Sequence, residues 1–497
     1  MALLQYPLLL LGLGGLLWLR ARRRGGWLHV LLTLLLALGF WLSVFYGVAN
    51  HFTGKGIDDA TWFHLTEALD WSVIGQFWGL ALAAIVTLLL PLWAIRTAWC
   101  RWQTHTTGGG RDWEIGAAYL AVVLALWLHP AVEDLGLLAK ERYQLRGPDL
   151  LAELLAQQHD DAGIQAVRPR SFVYVYMESL DQVFFDQNRF PGLMPRLGEL
   201  MNAGASIAGL RQAPLTGWTM AGLVSTQCGV PLARAATSDH TGKVLCAGDV
   251  LKAHGYELSF MGGAELTFAG KGNFFRLHGF SDVLGGPELD ALAGRPLSRS
   301  KWGVYDDDLF QLAWQRLDGL ANQGKRFGLM LLTVDTHPPA GHETPACQSI
   351  TYGDGRNKML NAVHCADHLV AQFLERIRAD PRMKDVVVIL GSDHLMMANE
   401  GGVAIDEENR RNTFVFFNPA FPLSSTDRPA TMLDIAPTML HILGFNVKAL
   451  GFGRNLYRSD PTLLEKFGAD EFFRLIYVWR NALQKRWELA ASAGEEG

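Results

Sequence analysis

The sequence predicts an α/β fold behind a membrane-anchoring N-terminal third, and three observations carry that prediction. Short β-branched apolar runs bounded by Gly or Pro recur through the last two thirds of the chain, each too short for a helix. Helical stretches separate them, an alternation that calls for a mainly parallel sheet covered by helices on both faces. The first third is built instead from long apolar segments, and a bilayer crossing needs roughly 20 such residues.

Four segments of the first 131 residues satisfy that length, near 3–19, 27–48, 76–98 and 113–131. The arginines at 20, 22, 23 and 24 follow the first apolar run and no small-residue cleavage pattern appears, so an anchor fits better than a signal peptide. Loops one and three carry the basic residues (Arg20 to Arg24; Arg96, Arg101, Arg111), whereas the loop between them has Lys55 against Asp58, Asp59, Glu67 and Asp70. The positive-inside rule then assigns loops one and three to the cytoplasm. Everything after residue 132 lies outside, which for a bacterium means a multi-pass inner-membrane protein with a periplasmic catalytic domain. A formal net charge of −5 leaves no basic footprint, so nucleic acid is not an expected partner.

The cysteines agree with export. Cys100 falls on the cytoplasmic side and leaves Cys228, Cys246, Cys347 and Cys365 outside, an even number in an oxidising compartment. Three connectivities are open; the sequence-local one, 228–246 with 347–365, is favoured over four buried thiols. Zinc binding is disfavoured because no Cys-x-x-Cys spacing occurs.

From 132 to 168 the apolar positions Val132, Leu135, Leu137, Leu138, Leu150, Leu151, Leu154 and Leu155 suggest an amphipathic linker along the membrane surface. Within the catalytic domain, 169–460, strands are expected at Ser171–Met177, 257–261, Phe327–Val334, Val386–Leu390 and Thr413–Phe417. Helices are expected at 192–202, 306–323 and 359–379. The last segment, 461–497, reads as a helix with aromatic and basic residues, resting on lipid or on its own domain.

The chemistry sits at strand ends. Glu178 follows the first strand, and Asp393-His394 follow Val386–Leu390, positions where open α/β sheets hold ligands and metals. Helix or turn capping is the bland alternative for either alone. Leu215-Thr216-Gly217-Trp218-Thr219 opens a small-residue helix, where an N-terminus favours an anionic oxygen or bound phosphate. A threonine needs metal or base activation to act as a nucleophile, and an N-cap is its structural alternative. His337 follows a third strand and reaches the same rim, suited to proton transfer to a leaving oxygen. An oxygen-rich set with one imidazole suits Mn²⁺, Mg²⁺ or Zn²⁺.

Tyr176-Met177-Glu178-Ser179-Leu180, Leu215–Thr219, Thr336-His337-Pro338, Gly391-Ser392-Asp393-His394 and Leu433–Leu440 together resemble the alkaline-phosphatase/sulfatase superfamily. Within it the chain is similar to the lipoteichoic-acid-synthase-like membrane phosphotransferases, and most of all to the branch that decorates osmoregulated periplasmic glucans. Gly54–Ala60, Ser225–Pro231 and Phe268-Ala269-Gly270-Lys271 carry that finer likeness. The resemblance implies one divalent metal, Mn²⁺ ahead of Mg²⁺ or Zn²⁺, held by Glu178, Thr216, Asp393 and His394. It implies a threonine nucleophile, with Thr216 favoured by synthase-like spacing over Thr219, and His337 and Lys271 as substrate-contacting residues. It implies phosphatidylglycerol as donor and a glucan as acceptor. The chain departs at Gly262, where the synthases have a histidine, and the expectation is that it lacks the long C-terminal extension of some glucan-modifying relatives. Phosphoethanolamine transfer, phosphodiester or sulfate hydrolysis, and an inert membrane scaffold are the competing readings. A sulfatase would want Cys or Ser as its modified nucleophile, and a scaffold would not keep the ligand set.

Overall fold

The computed structural model describes residues 4–21, 27–54, 56–66, 112–143, 164–232, 244–397, 399 and 410–494, with scattered positions between 86 and 100. It divides into two compact units, 1–143 and 144–497.

In the first unit, α1 (Gln5–Ala21), α2 (Trp27–Thr53), α3 (Asp59–Thr66), α4 (Asp112–Trp127) and α5 (Pro130–Tyr143) are described. Helices α1, α2 and α4 share a buried core of Leu17, Leu32, Ala118 and Val122. Gly14 lets α1 approach α4 closely, since a Cβ there would fall 2.6 Å from Val122 Cγ2. Among the described residues, Val30–His51 is long and apolar enough to cross a membrane, and Trp113–Trp127 with Pro130–Lys140 passes only as one span bent by 48°. The four expected crossings are therefore one or two among the described residues. The apolar stretch of α1, Gln5–Leu19, is shorter than a span, and the segment expected near 76–98 lies mostly outside the described residues.

Pro130 supplies the physical reason at the fourth segment. It has no N–H to continue the ladder and restricts His129 before it, so α4 stops and α5 restarts with Glu133 and Asp134. The expected linker begins as α5, and 144–163 lie outside the described residues. Asp134 Oδ2 accepts from the Ile57 amide at 2.8 Å, tying α5 to the turn after α2.

In the second unit a seven-stranded sheet forms from β1 (Phe172–Met177), β2 (Ala205–Ser206), β3 (Glu257–Gly262), β4 (Asp282–Leu284), β5 (Phe327–Leu332), β6 (Val387–Ser392) and β7 (Phe414–Phe417). Its spatial order is β2-β7-β6-β1-β5-β3-β4. Strands β6, β1, β5, β3 and β4 run parallel, while β7 is antiparallel to both of its neighbours, so the sheet is mixed. Side chains alternate across β1. Val173, Val175 and Met177 join a core with α6 (Pro195–Met201) and two long helices, Asp306–Asn322 and Lys358–Ala379. On the other face Tyr176 Oη meets Thr226 Oγ1 at 3.0 Å on α7 (Thr219–Cys228).

Both sequence-local disulfides are present, Cys228–Cys246 and Cys347–Cys365, and Cys100 is exposed and belongs to neither. The last helix, Ala469–Gly494, turns Phe472, Leu475, Ile476, Trp479 and Leu483 inward at helical spacing. Trp479 lies among Phe452, Phe467 and Phe472, so this segment is docked on its own domain.

Candidate active site and metal centre

Strands β1, β5 and β6 are adjacent and parallel, so their carboxyl ends open onto one rim. Glu178 comes from the end of β1, His337 from the loop after β5, and Asp393-His394 from the end of β6. Glu178, Asp393 and His394 each offer a ligand atom within 4.8 Å of the others, and all three are buried.

Each ligand has one atom secured by the protein. Asp393 Oδ1 accepts from the amides of Ser179 and His394, both at 2.9 Å, while Oδ2 is buried without a hydrogen-bond partner. His394 Nδ1 faces the Leu395 carbonyl at 2.8 Å; a carbonyl only accepts, so Nδ1 carries the proton. In the neutral ring this turns the Nε2 lone pair toward Glu178 Oε1 at 3.3 Å and Asp393 Oδ2 at 3.5 Å. A lone pair facing two carboxylates needs a cation or a proton between them. The carbonyl on the far ring nitrogen is the usual support of a metal-bound histidine.

Glu178 is fixed through its main chain. Its amide donates to Thr333 Oγ1 at 2.9 Å, its carbonyl accepts from Thr336 Oγ1 at 2.5 Å, and Ser179 Oγ donates to Oε1 at 2.7 Å. Ser179 adopts φ 54°, a left-handed conformation that an L-residue holds only when its surroundings require it. The electrostatics fit a cation site. Burial and the Glu178 charge push Asp393 up to about 7. Burial lowers His394, yet Asp393 and Glu178 outweigh it and hold the imidazole at about 9. Burial raises Glu178, and His394 and His337 overcome that to hold it at about 2. A divalent ion would take over the positive charge now carried by the imidazolium. The orphaned Asp393 oxygen and the tautomer of His394 both suit it.

The two threonines differ. Thr219 begins α7, and its hydroxyl lies 3.5 Å from Glu178 Oε2. It does not cap the helix; Trp218 occupies the N-cap and makes no side-chain capping hydrogen bond there. Thr216 is fully buried and donates to the Ala213 carbonyl at 2.7 Å. Lys271, at 2% exposed, opens the helix Lys271–Leu277. Burial lowers its ammonium to about 8, against the pull of Glu178 and Asp393. His337 Nδ1 meets the Pro338 carbonyl at 2.6 Å, so Nε2 is the nitrogen left for substrate, and burial lowers its pKa.

Sequence reasoning missed the residues that hold these in place. Asp306 accepts from the amides of Val334 at 2.8 Å and Asp335 at 3.0 Å, and Asp335 Oδ2 accepts from the Asp306 amide at 3.0 Å. This reciprocal clamp fixes the loop that carries Thr336 and His337. Its only sequence signal is the acidic run Asp306-Asp307-Asp308 at a helix start. Trp302 stacks on His337 with ring centroids 3.8 Å apart, a contact between distant segments that spacing cannot reveal.

Fold and site together define an α/β domain of the sulfatase type with a buried Glu-Asp-His group that could hold a metal ion. Residues 170–445, more than half of the chain, match the Sulfatase family, and the chain belongs to it. Residues 2–143 match the phosphoglycerol transferase I N-terminal domain. Phosphoglycerol transferase I of Salmonella choleraesuis (strain SC-B67) is 34% identical over 466 residues, covering 90% of this chain and 59% of that protein. The protein of the same name from Salmonella typhimurium (strain LT2) gives the same figures. The chain thus spans less than two thirds of the length of these relatives.

Two solved structures share the fold. A protein of the alkaline phosphatase superfamily from Vibrio parahaemolyticus is 21% identical with TM-score 0.54, over 66% of this chain and 82% of that one. The lipoteichoic acid synthase LtaP from Listeria monocytogenes is 14% identical with TM-score 0.51, over 68% and 98%.

Proposed function

We propose that the chain transfers a glycerophosphoryl group from phosphatidylglycerol to a hydroxyl of a periplasmic glucan, releasing diacylglycerol. The observation that carries this reading is the Thr219 hydroxyl beside Glu178, at the edge of a buried Glu-Asp-His cluster fit for one divalent ion. The name shared by its 34%-identical relatives supplies the transferred group. Glu178, Asp393 and His394 would hold the metal, Mn²⁺ by preference, and Thr219 replaces Thr216 as the nucleophile. When bound, the ion lowers the hydroxyl pKa and offsets charge on phosphate oxygen.

The Thr219 oxygen bonds to phosphorus as the phosphorus–diacylglycerol oxygen bond breaks, and the hydroxyl proton passes to the free Nε2 of His337 and from there to the departing oxygen. The acceptor hydroxyl then attacks phosphorus as the phosphorus–Thr219 oxygen bond breaks, its proton passing through the same nitrogen to the Thr219 oxygen. One imidazole serves as base and then acid in each step because Nδ1, committed to the Pro338 carbonyl, leaves the Nε2 lone pair open. Lys271 neutralises phosphate as a point charge beside the carboxylates. Residues 1–131 act as the membrane domain, 132–168 as its linker, 169–460 as the catalytic domain and 461–497 as a docked tail. Anchoring in the inner membrane raises the effective donor concentration without new contacts.

The test is to incubate the purified full chain and Mn²⁺ with headgroup-labelled phosphatidylglycerol vesicles, with and without glucan. Label should move to glucan in step with diacylglycerol release. Label appearing only as free glycerophosphate, whether or not glucan is present, would make the chain a phosphodiesterase instead.

A further inference from the structure

Among the described residues, a second group of ligand-type side chains lies where α7 ends. Cys228, Cys246 and His278 are all buried, and their ligand atoms fall within 4.8 Å of one another. Cys228 closes α7, roughly 13 Å along the helix axis from Thr219, so this group is separate from the rim cluster. Cys246 caps the helix Ala247–Ala253, and His278 ends the helix Lys271–Leu277. The two sulfurs are joined as a disulfide, and His278 Nε2 sits 3.5 Å from Cys246 Sγ.

Asp249 decides which way the imidazole points. Its Oδ2 accepts from the Cys246 amide at 2.8 Å and lies 2.8 Å from His278 Nδ1. A carboxylate only accepts, so Nδ1 carries the proton, and in the neutral ring the Nε2 lone pair faces the sulfur. A cystine sulfur has no proton to offer that lone pair. On a residue only 3% exposed, Nε2 is thus aimed at a partner the disulfide does not supply. A carboxylate on the far ring nitrogen is the common support of a metal-bound histidine.

The elements that carry the three ligands are seated without help from the S–S bond. A Cβ at Gly248 would fall 2.2 Å from the His278 carbonyl oxygen, so the helix of Cys246 packs directly on the His278 main chain. Gly229, next to Cys228, packs in the same way on Leu450 at 2.1 Å, and its carbonyl accepts from the Phe452 amide at 2.7 Å. Opening the bond therefore leaves two thiols and an imidazole facing one another.

We propose that, once a dithiol reduces Cys228–Cys246, the two sulfurs and His278 Nε2 form a tetrahedral zinc site with water as the fourth ligand. Two electrons and two protons convert the cystine to two thiols while the dithiol becomes a disulfide, and zinc then displaces both thiol protons. Two thiolates and one imidazole are a zinc set, softer than the oxygen-rich cluster at the rim. The link between α7 and Ala247–Ala253 thus has two chemical forms, a cystine and a zinc dithiolate. Asp249 is the positioning residue that orients the imidazole.

The test uses the full-length protein in detergent, reduced with a phosphine, which takes an oxygen from water and becomes the phosphine oxide. Co²⁺ is added as the coloured substitute for zinc. A thiolate-to-cobalt charge-transfer band reports on this site alone, because the rim cluster contains no sulfur. The band should appear in reduced protein, be absent from oxidised protein, and fade as Zn²⁺ displaces Co²⁺. It should vanish from Cys228→Ser/Cys246→Ser and persist in Cys347→Ser/Cys365→Ser. His278→Ala should weaken cobalt binding at least tenfold. Asp249→Asn, which can still accept from the Cys246 amide and so preserves the fold, should weaken it by about tenfold, the scale of a lost supporting carboxylate. Absence of the band from reduced, folded wild type overturns the proposal, as does a bond that no reductant opens in the folded protein. Unchanged affinity in His278→Ala or Asp249→Asn, or loss of the band from Cys347→Ser/Cys365→Ser, overturns it too.

Discussion

Gly222 lies against the main chain of Asp393: a Cβ at Gly222 would fall 1.8 Å from the Asp393 carbonyl oxygen. Helix α7, which presents Thr219, is thereby seated directly on the strand end that presents Asp393 and His394. The absence of one side chain sets the spacing between Thr219, the proposed nucleophile, and the Glu178–Asp393–His394 cluster. Gly222→Ala should push α7 outward, at a stability cost of about 1–3 kcal/mol typical of overpacking. Displacing a reacting group by ~1 Å costs roughly a hundredfold in rate. We therefore expect Gly222→Ala to fold with a lowered Tm and to lose at least that much activity while still binding metal. Near-wild-type turnover would mean that α7 can shift without moving Thr219.

Metal dependence follows from the cluster itself. Glu178→Ala, Asp393→Ala and His394→Ala should each lower bound divalent metal measured on purified protein and abolish transfer. Chelation of the wild type should do the same, with Mn²⁺ restoring activity. The protein should stay folded in each case, since its core lies in the sheet and not at the rim. Full metal occupancy in all three variants would dismiss the site.

The strand-end cluster was legible because buried parallel strands are short apolar runs with abrupt polar ends, and Glu178, Asp393 and His394 each stand at such an end. The choice between Thr216 and Thr219 was not legible in the same way. The two lie three residues apart around a turn with Leu215 at φ 64°, and only the path of the backbone decides which hydroxyl meets Glu178. Trp302 and Asp306 act across 28 or more residues of sequence on His337 and its loop, so nothing local marks them. Among the described residues one or two spans stand where hydropathy placed four: hydropathy averages over Pro130 at the fourth segment, whereas the helix ladder does not, and the segment near 76–98 lies mostly outside the described residues.

Lys271 should give the reaction a characteristic alkaline limb. Burial lowers its ammonium from 10.5 to about 8, with Glu178 and Asp393 pulling it back up. A lysine is charged below its pKa, so the cation that meets phosphate is present at neutral pH and lost as pH rises through about 8. Donor KM should climb over that window. Lys271→Arg, whose guanidinium stays charged, should flatten the climb even if its absolute KM is poorer. The same limb in Lys271→Arg would assign it to another group.

The two threonines can be separated by what each loses. Thr216 is buried and its hydroxyl satisfies the Ala213 carbonyl at 2.7 Å, so Thr216→Ala leaves a buried acceptor unpaired. That costs about 1–3 kcal/mol. Thr219 caps nothing, and Thr219→Ala removes only a hydroxyl at 3.5 Å from Glu178. Exposing each protein to phosphatidylglycerol without acceptor, and weighing it intact after an acid quench, should reveal a glycerophosphoryl adduct on wild type. The adduct should persist on the folded fraction of Thr216→Ala, with a lowered Tm, and vanish from Thr219→Ala, with a Tm near wild type. Loss of the adduct from Thr216→Ala alone would restore the spacing-based assignment of the nucleophile to Thr216. A wild type that turns over yet carries no adduct under any quench would remove the covalent intermediate. Direct attack of the acceptor hydroxyl on the lipid phosphate would then be the mechanism, with Thr219 reduced to a contact of Glu178.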